Sequence, residues 1–283
     1  MPDGGGHDLA AIELPAFRAR APWIGGDLQT VRNTLLSVAG RRIDLPPGER
    51  LSLPTDDGSG DRLIGALNRP PAPSSKPLAI LIHGLTGCED SAYMRASAGH
   101  LLALGYPVLR LNLRGAGPSA PHCRQQYHAG RSQDLRAVLA GLDPALTAGG
   151  VVLVGYSLGA NMMLKYLGEE GRAAPVLAAI AVSAPIDLKA TQRRVMAPRN
   201  LLYHRHILSR MKAECLTEST AIDPDLRERA RSARSVFAFD DVYVAPRNGF
   251  GDAETYYWRC SAQGFMPAIR VPTLVVHAMN DPW

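Results

Sequence analysis

A serine between two glycines is the pattern in this 283-residue chain that could most directly do chemistry. The segment Gly155–Gly159 reads Gly-Tyr-Ser-Leu-Gly, and it lies between the apolar run Val151–Val154 and the helical pattern Asn161–Glu169. A serine hydroxyl is a weak nucleophile until a base activates it. A tight strand-to-helix turn exposes the hydroxyl, and the flanking glycines let the backbones pack closely. The pattern predicts that Ser157 is the nucleophile of an acyl-transfer reaction.

A second glycine-containing loop follows an apolar strand earlier in the chain. Its residues His83–Gly87 read His-Gly-Leu-Thr-Gly. Acyl transfer builds negative charge on a former carbonyl oxygen, and fixed backbone N–H groups stabilise that charge. We therefore expect the Leu85 and Leu158 N–H groups to form an oxyanion hole. His83 is an alternative general base, but it precedes Ser157, whereas this type of site has the chain order serine, acid, histidine.

The acid of such a site must orient its histidine and offset the imidazolium charge. Asp281 is the leading candidate, because it closely follows the predicted buried strand Thr273–His277. The carboxyl ends of parallel strands share one edge of a sheet, which would bring Asp281 to the edge that carries Ser157. Asp187, which follows the apolar run Val176–Val182, is the alternative acid. Three histidines within strand or helix patterns are interpreted as structural: His204, His206 and His277.

The remaining motifs do not indicate a cofactor or a metal. Gly115–Ala120 matches the glycine spacing of dinucleotide-binding turns, but Pro118 and Pro121 are poor residues for the helix that this motif opens. The phosphate-binding pattern Gly-x-x-x-x-Gly-Lys-Ser/Thr does not occur in the chain. The cysteines are widely spaced, form no Cys-x-x-Cys pair and are expected to be free thiols: Cys88, Cys123, Cys215 and Cys260. The sequence predicts no cofactor and no metal.

These candidate residues need a scaffold in which strand ends converge. Short apolar strands alternate with amphipathic helices from residue 78 onward. This alternation is typical of a parallel sheet that helices cover on both faces. The predicted strands are Leu78–His83, Pro107–Leu113, Val151–Val154, Val176–Val182 and Thr273–His277, and the predicted helices are Ser91–Leu104, Arg131–Leu142 and Asn161–Glu169. The sequence therefore predicts an α/β fold with its site at the carboxyl edge of the sheet.

The other segments divide the chain into an extension, a main domain and an insertion. Residues 1–48 contain one helix pattern at Asp27–Val38 and are interpreted as an N-terminal extension that packs on the domain. The main domain spans 49–283 and begins with a hairpin, marked by the turn signal Asp56-Asp57-Gly58. Residues 187–265 interrupt the alternation with helical, arginine-rich and aromatic sequence. We expect this insertion to cap the carboxyl edge of the sheet.

The charge and hydropathy patterns limit the partners of the chain. Its formal net charge is +5, but acidic residues are interleaved with basic ones even in the densest basic stretch, Arg193–Arg234. Nucleic-acid surfaces need compact basic runs, so no nucleic-acid partner is expected. The stretch is interpreted as a solvated helical face, with a transient contact with a lipid surface as the alternative. The chain has no apolar run of about 18 residues and no signal-peptide pattern at its start. We expect a soluble cytoplasmic protein, and the sequence leaves its oligomeric state open.

Several motifs together resemble one known family. They are Asn112–Gly117, Tyr127–Asp134, Gly155–Met162, Val182–Pro185, Phe239–Asp241 and Pro272–Pro282. In combination they resemble the YheT-like branch of the α/β-hydrolase superfamily. The resemblance implies an α/β-hydrolase fold, a mostly parallel sheet with helices on both faces and a helical cap. It also implies a serine carboxylic-ester hydrolase whose substrate is a short- or medium-chain acyl ester, with Ser157 as nucleophile and Asp281 as acid.

Two other functions remain open from the sequence. Relatives of this branch include alcohol acyltransferases, which pass the acyl group to an alcohol instead of water. A non-catalytic relative is the third hypothesis, because the family's histidine lies in a Gly-Gly-His segment after the acid, whereas only Pro282 and Trp283 follow Asp281 here. We expect that the sequence ends before this histidine, the last strand and the last helix, which would lower the activity of the 283-residue polypeptide.

Overall fold

The computed structural model describes residues 18–38, 44–216 and 222–282. Within them the chain forms a seven-stranded sheet. Its strands are β1 (Glu49–Pro54), β2 (Arg62–Asn68), β3 (Leu78–Ile82), β4 (Val108–Leu111), β5 (Val151–Tyr156), β6 (Ala178–Val182) and β7 (Thr273–Val276). The order across the sheet is β1-β2-β4-β3-β5-β6-β7, in which β3 to β7 are parallel and the hairpin β1–β2 is antiparallel. This arrangement confirms the predicted sheet and its edge hairpin.

Helices cover both faces of the sheet. The helices that connect the strands up to β6 are α2 (Ala92–Ala103), α3 (Ser132–Gly141), α4 (Pro144–Thr147) and α5 (Leu158–Glu170), and α1 (Gly26–Val38) precedes the sheet. Successive side chains of a strand point to opposite faces. Along β3, Leu78 and Ile80 pack in the larger core with α3 and α5, while Ala79 and Leu81 pack in a second core with α2. The predicted two-faced α/β fold is therefore confirmed.

The last strand differs from its prediction as a buried strand. β7 is at the edge of the described sheet, and Leu274, Val275 and Val276 are 36%, 48% and 42% exposed. A short apolar run has the same composition in the centre of a sheet and at its edge, so periodicity does not separate the two positions. The strand also ends at Val276, which places His277 beyond it, at the carboxyl edge of the sheet.

The segment between β6 and β7 is helical. It contains α6 (Leu188–Val195), α7 (Leu201–Cys215), α8 (Pro224–Ser232), α9 (Val236–Phe239), a π-helix (Asp240–Val244), α10 (Ala245–Arg247) and α11 (Ala253–Cys260). Residues of α7, α8, α9 and the π-helix form an apolar cluster of their own around Phe239 and Tyr243, whereas α11 packs into the larger core. Leu85 packs against both clusters. The helical insertion, residues 187–265, therefore contacts the loop that follows β3.

A fully buried arginine joins the β1–β2 hairpin to α3. Arg114 Nε donates to Asp134 Oδ2 at 3.0 Å, and Arg114 Nη1 donates to Asp61 Oδ2 at 3.1 Å. A buried charge is tolerated only when it is paired and hydrogen-bonded, so these contacts restrict the path of the loop after β4. The Arg114 carbonyl also accepts the Tyr127 N–H at 2.8 Å, which fixes the backbone at Tyr127.

The described part of the N-terminal extension contacts the helical insertion. Asp27 of α1 accepts from Arg199 Nη2 and from Tyr203 Oη, each at 3.1 Å. The predicted helix at Asp27–Val38 is confirmed, while residues 1–17 and 39–43 of the predicted extension, residues 217–221 of the insertion and Trp283 lie outside the described residues. The four cysteines are free thiols. Where the structure describes the chain, it shows no helix long and apolar enough to span a membrane.

Candidate active site

Ser157 occupies a strained turn between β5 and α5. Its φ is 49° and its ψ is −123°, in a region that is rare for residues with a side chain. Such a conformation costs about 1–3 kcal/mol and persists where the surrounding structure holds it. Here the Ser157 N–H donates to Val182 O of β6 at 2.9 Å. The turn exposes the Ser157 side chain at the carboxyl edge of the sheet, where the sequence predicts it.

The two glycines that flank Ser157 are required by close backbone contacts. A Cβ atom at Gly155 would lie 2.6 Å from Ala160 Cα, and a Cβ atom at Gly159 would lie 2.3 Å from His83 O. Both contacts are with backbone atoms, which cannot move away as the end of a flexible side chain can. The first turn of α5 therefore packs against β5 and the end of β3 only because these positions lack side chains.

The oxyanion loop, residues 83–87 after β3, has an unused backbone donor at Leu85. The Gly84 N–H donates to Tyr93 Oη at 3.0 Å. The Thr86 N–H donates to Tyr127 Oη at 2.7 Å. The Leu85 N–H between them has no acceptor among the residues that the structure describes. It is thus available to an oxygen that enters the site.

A second unused donor lies at the start of α5. The first N–H groups of a helix have no carbonyl partner within it, and the Leu158 N–H has no acceptor in the described parts of the chain. A Cβ atom at Gly84 would lie 3.6 Å from Ser157 Oγ, so the oxyanion loop runs alongside the candidate nucleophile. Leu85 and Leu158 also line one cavity. The structure therefore brings both predicted oxyanion-hole residues together beside Ser157.

This cavity is small and mixed in character. Its volume is about 30 Å³, enough for a water molecule. The helical insertion contributes apolar walls from Met211, Val244 and Tyr256. The polar side chains that line it are Gln126, Tyr127, His128, Glu214 and Asp240. The insertion thus supplies both apolar surface and titratable groups next to the oxyanion loop.

Asp240 is a buried carboxyl group with a raised pKa. It is 6% exposed, and its Oδ2 accepts from Tyr257 Oη at 2.7 Å. Burial raises the pKa of Asp240 from 3.8 to about 7, although the Tyr257 hydrogen bond acts in the opposite direction. Its position at the first residue of the π-helix is notable, because π-helical turns are frequent at functional sites.

The raised pKa of Asp240 predicts a pH-dependent stability. The folded state keeps the proton up to about pH 7, whereas the unfolded chain loses it near 3.8. Stability from this group is therefore complete below pH 3.8 and is lost as the pH rises through 7. Asp240→Asn has no such proton to lose. The difference in free energy of unfolding, variant minus unchanged protein, should therefore increase by about 1 kcal/mol for each pH unit between pH 3.8 and pH 7.

Urea unfolding of both proteins between pH 4 and pH 8 measures this difference, and the low-pH end is its internal reference. If the free energy of unfolding changes with pH in the same way for both proteins, Asp240 is ionised in the folded protein and the prediction is wrong.

None of the histidines that the structure describes hydrogen-bonds to Ser157. His83 Nδ1 donates to Gly84 O at 2.8 Å, and its Nε2 accepts the Leu113 N–H at 3.0 Å. Burial also lowers the pKa of His83 to about 4. Both ring nitrogens are thus used to shape the oxyanion loop, which argues against the alternative of His83 as the base. His204 is likewise structural, because its Nε2 accepts the Val236 N–H at 3.0 Å.

Asp281 lies beyond β7, two strands away from Ser157 in the sheet. Its Oδ2 is 3.9 Å from His277 Nε2, so the carboxylate faces an imidazole ring. Strands are about 4.8 Å apart, which separates the backbones of β5 and β7 by roughly 10 Å, and His277 does not hydrogen-bond to Ser157. Asp187 accepts the Ala190 N–H at 2.9 Å as the N-cap of α6. Asp187 is thus used in capping α6, and Asp281 as the acid stays a prediction.

Sequence reasoning missed the side chains that surround the oxyanion loop. Tyr93 and Tyr127 bind its backbone, and Glu214 of the helical insertion accepts from Tyr127 Oη at 2.8 Å. Tyr127 and Glu214 are 87 residues apart in the chain, so no local spacing could have paired them. The sequence did indicate Tyr127, because this residue begins Tyr127–Asp134, one of the motifs that carry the family resemblance.

In this structure the central strand of a parallel sheet leads through a strained, exposed serine into a helix. A loop with an unused N–H group lies beside the serine. This combination defines the class of α/β hydrolases. The chain belongs to the α/β-hydrolase fold family, whose sequence profile matches residues 77–283. It is 32% identical over 242 residues to the YheT protein of Escherichia coli, which is named as a proposed esterase. The match covers 84% of this chain and 70% of the Escherichia coli protein. The expected resemblance is thereby confirmed.

Two further comparisons extend this result. A Saccharomyces cerevisiae protein named medium-chain fatty acid ethyl ester synthase/esterase 2 is 30% identical, over 73% of this chain and 51% of its own length. The solved structure of 2,6-dihydroxy-pseudo-oxynicotine hydrolase superposes with a TM-score of 0.52 at 18% identity, covering 89% of this chain and 57% of that one. The chain thus spans about half the length of the yeast relative. The solved structure shows the same fold, while the sequence profile and the Escherichia coli relative show a hydrolase of the α/β family.

Proposed function

We propose that the protein hydrolyses carboxylic esters of short- or medium-chain acids through an acyl-enzyme on Ser157. The observation that carries this proposal is the strained, exposed Ser157 beside the two unused N–H groups of Leu85 and Leu158. A hydroxyl next to two fixed donors is suited to attack a carbonyl carbon and to stabilise the oxyanion that results.

The reaction would proceed in two acyl-transfer steps. Ser157 Oγ attacks the ester carbonyl while a general base takes its proton, the role that the family resemblance gives to a histidine oriented by Asp281. The carbonyl oxygen becomes an oxyanion held by the Leu85 and Leu158 N–H groups. The C–O bond to the alcohol then breaks, and the base returns the proton to the departing oxygen. Water attacks the acyl-enzyme with the same assistance, which releases the carboxylic acid and restores Ser157.

The helical insertion is proposed to act as a cap that contacts the acyl chain. Met211, Val244 and Tyr256 bring apolar surface to the cavity that Leu85 and Leu158 line. This cavity of about 30 Å³ would have to widen to admit an acyl chain, whose methylene groups would then each contribute about 0.8 kcal/mol on burial against the apolar surface. The name of the yeast relative, which refers to medium-chain fatty acid esters, supports the same substrate class.

Acyl transfer to an alcohol is the second candidate, and one observation favours it. The yeast relative is named both a synthase and an esterase. The two reactions share the acyl-enzyme on Ser157 and differ in whether water or an alcohol attacks it.

Product analysis separates these functions. The protein is incubated with p-nitrophenyl butyrate or octanoate in the presence of ethanol, and the acid and the ethyl ester are quantified. We expect the free acid to be the main product. An excess of ethyl ester would assign the transferase function instead. Release of p-nitrophenol no faster than from Ser157→Ala would overturn both assignments.

A further inference from the structure

Thr86, next to the unused Leu85 N–H, is held in a strained conformation. The Gly87 N–H donates to Gly84 O at 3.1 Å, which closes a turn with Leu85 and Thr86 at its centre. The φ of Thr86 is 54°, a value that turns of this kind normally assign to glycine or asparagine. For a β-branched residue this conformation is an outlier, and strain of about 1–3 kcal/mol persists only when neighbouring groups impose it.

Both backbone polar groups of Thr86 are bound by side chains from other parts of the chain. The Thr86 N–H donates to Tyr127 Oη at 2.7 Å, and Arg210 Nη2 donates to Thr86 O at 3.1 Å. Tyr127 belongs to the loop after β4, whereas Arg210 belongs to α7 of the helical insertion. The peptide groups on either side of Thr86 are therefore fixed from two directions.

Tyr127 is itself fixed by α7. Its Oη donates to Glu214 Oε2 at 2.8 Å, so its single proton is directed away from Thr86 and a lone pair is left for the Thr86 N–H. Burial raises the pKa of Glu214 to about 7, while the Tyr127 hydrogen bond and the Arg210 charge lower it. Arg210 and Glu214 are four residues apart on α7, which places them on one face of the helix.

We propose that Tyr127, Glu214 and Arg210 form a clamp that holds the oxyanion loop in the conformation that aims the Leu85 N–H at the acyl oxygen. The role of the clamp rests on the proposed ester hydrolysis. It also couples the helical insertion to the oxyanion hole, because Glu214 and Arg210 lie on the insertion. These three are positioning residues, since they act through Thr86 and Leu85. Any displacement of α7 would therefore be transmitted to the oxyanion hole.

The clamp predicts a specific loss in Tyr127→Phe, which keeps the ring and removes the hydroxyl. A misplacement of about 1 Å in a catalytic group can cost about 100-fold in rate, so kcat should fall by about 10- to 100-fold. KM should change far less, because the oxyanion forms only after the substrate has bound. Glu214→Gln retains an acceptor for Tyr127 and should keep most of kcat, whereas Glu214→Ala should approach Tyr127→Phe.

A double variant tests whether Tyr127 acts through the strain at Thr86. Asparagine enters the left-handed region more easily than threonine does. Thr86→Asn should therefore restore part of the kcat lost in Tyr127→Phe, as measured by a double-mutant cycle. Equal losses from Tyr127→Phe in the threonine and asparagine backgrounds would overturn the proposed role.

Amide hydrogen exchange of residues 83–88 gives a readout that does not need activity. Exchange in this segment should rise in Tyr127→Phe and in Arg210→Ala, and it should stay unchanged in the matched controls Tyr106→Phe and Arg205→Ala. If the unchanged protein does not hydrolyse esters, the proposed function fails, and the exchange result still decides the clamp. Unchanged exchange in both clamp variants would overturn it, as would a raised KM with kcat intact.

Discussion

Replacing Ser157 with alanine is expected to abolish covalent labelling by a fluorophosphonate probe and to remove the part of kcat that depends on Ser157, a loss of about 10⁴- to 10⁶-fold where a complete triad operates. The loss is large because the remaining oxyanion donors can bind an ester but cannot form the acyl-enzyme. The fold should persist, since the structural role of Ser157 lies in its backbone, whose N–H donates to Val182 O. Mass spectrometry of the labelled protein should find the adduct on the peptide that contains Gly155–Gly159.

Ser183 offers a matched control for this experiment. It follows β6 as Ser157 follows β5, it has the same φ of 49°, and its N–H donates to Val276 O at 2.8 Å. Ser183→Ala should label and turn over substrate like the unchanged protein, because the residue is not followed by a helix that presents an unused N–H. Equal labelling of Ser157→Ala and the unchanged protein would reject Ser157 as the nucleophile.

Leu85→Pro is expected to lower kcat by about 100- to 1,000-fold, which corresponds to about 3–4 kcal/mol. Proline has no N–H group, so the substitution removes the oxyanion donor itself. Leu85 is the second residue of the turn that the Gly87 N–H to Gly84 O bond closes, a position that proline favours. The backbone of the turn should therefore survive, and steady-state kinetics should show a loss in kcat with little change in KM.

Leu85→Ala is the control for the lost side chain. Leu85 packs against both the larger core and the apolar cluster of the helical insertion, so any change at this position also alters packing. Alanine alters the packing but keeps the N–H, and kcat should remain within a few-fold of that of the unchanged protein. If alanine and proline cost the same, packing explains the effect and the Leu85 N–H is not an oxyanion donor.

Much of the fold and part of the site could be predicted because their signals are local. The strand, the turn glycines and the helix around Ser157 are contiguous in the chain, so one short pattern predicts all of them. The alternation of apolar strands with helices likewise predicts a parallel sheet without knowledge of long-range contacts. Leu85 could be proposed as a donor because it follows a strand end within the same loop as two glycines.

The rest of the site depends on contacts between distant segments. The Tyr127 bond to Thr86 spans 41 residues, and its bond to Glu214 spans 87. The exposure of β7 depends on its place in the sheet order, which its apolar composition does not indicate. The sequence also does not show which carboxylates have structural roles outside the site. The structure shows that Asp187 caps α6.

The strained residues at the strand ends also determine where this protein could be made more heat-resistant. Thr86, Ser157 and Ser183 have φ values of 54°, 49° and 49°, and glycine would adopt each conformation without steric cost. A screen for thermostability would therefore tend to select substitutions at these three positions. At Ser183 and Thr86 such a gain would leave the proposed chemistry intact, because neither side chain takes part in it. At Ser157, thermal stability and turnover are opposed, because glycine relieves the backbone strain but removes the proposed nucleophile.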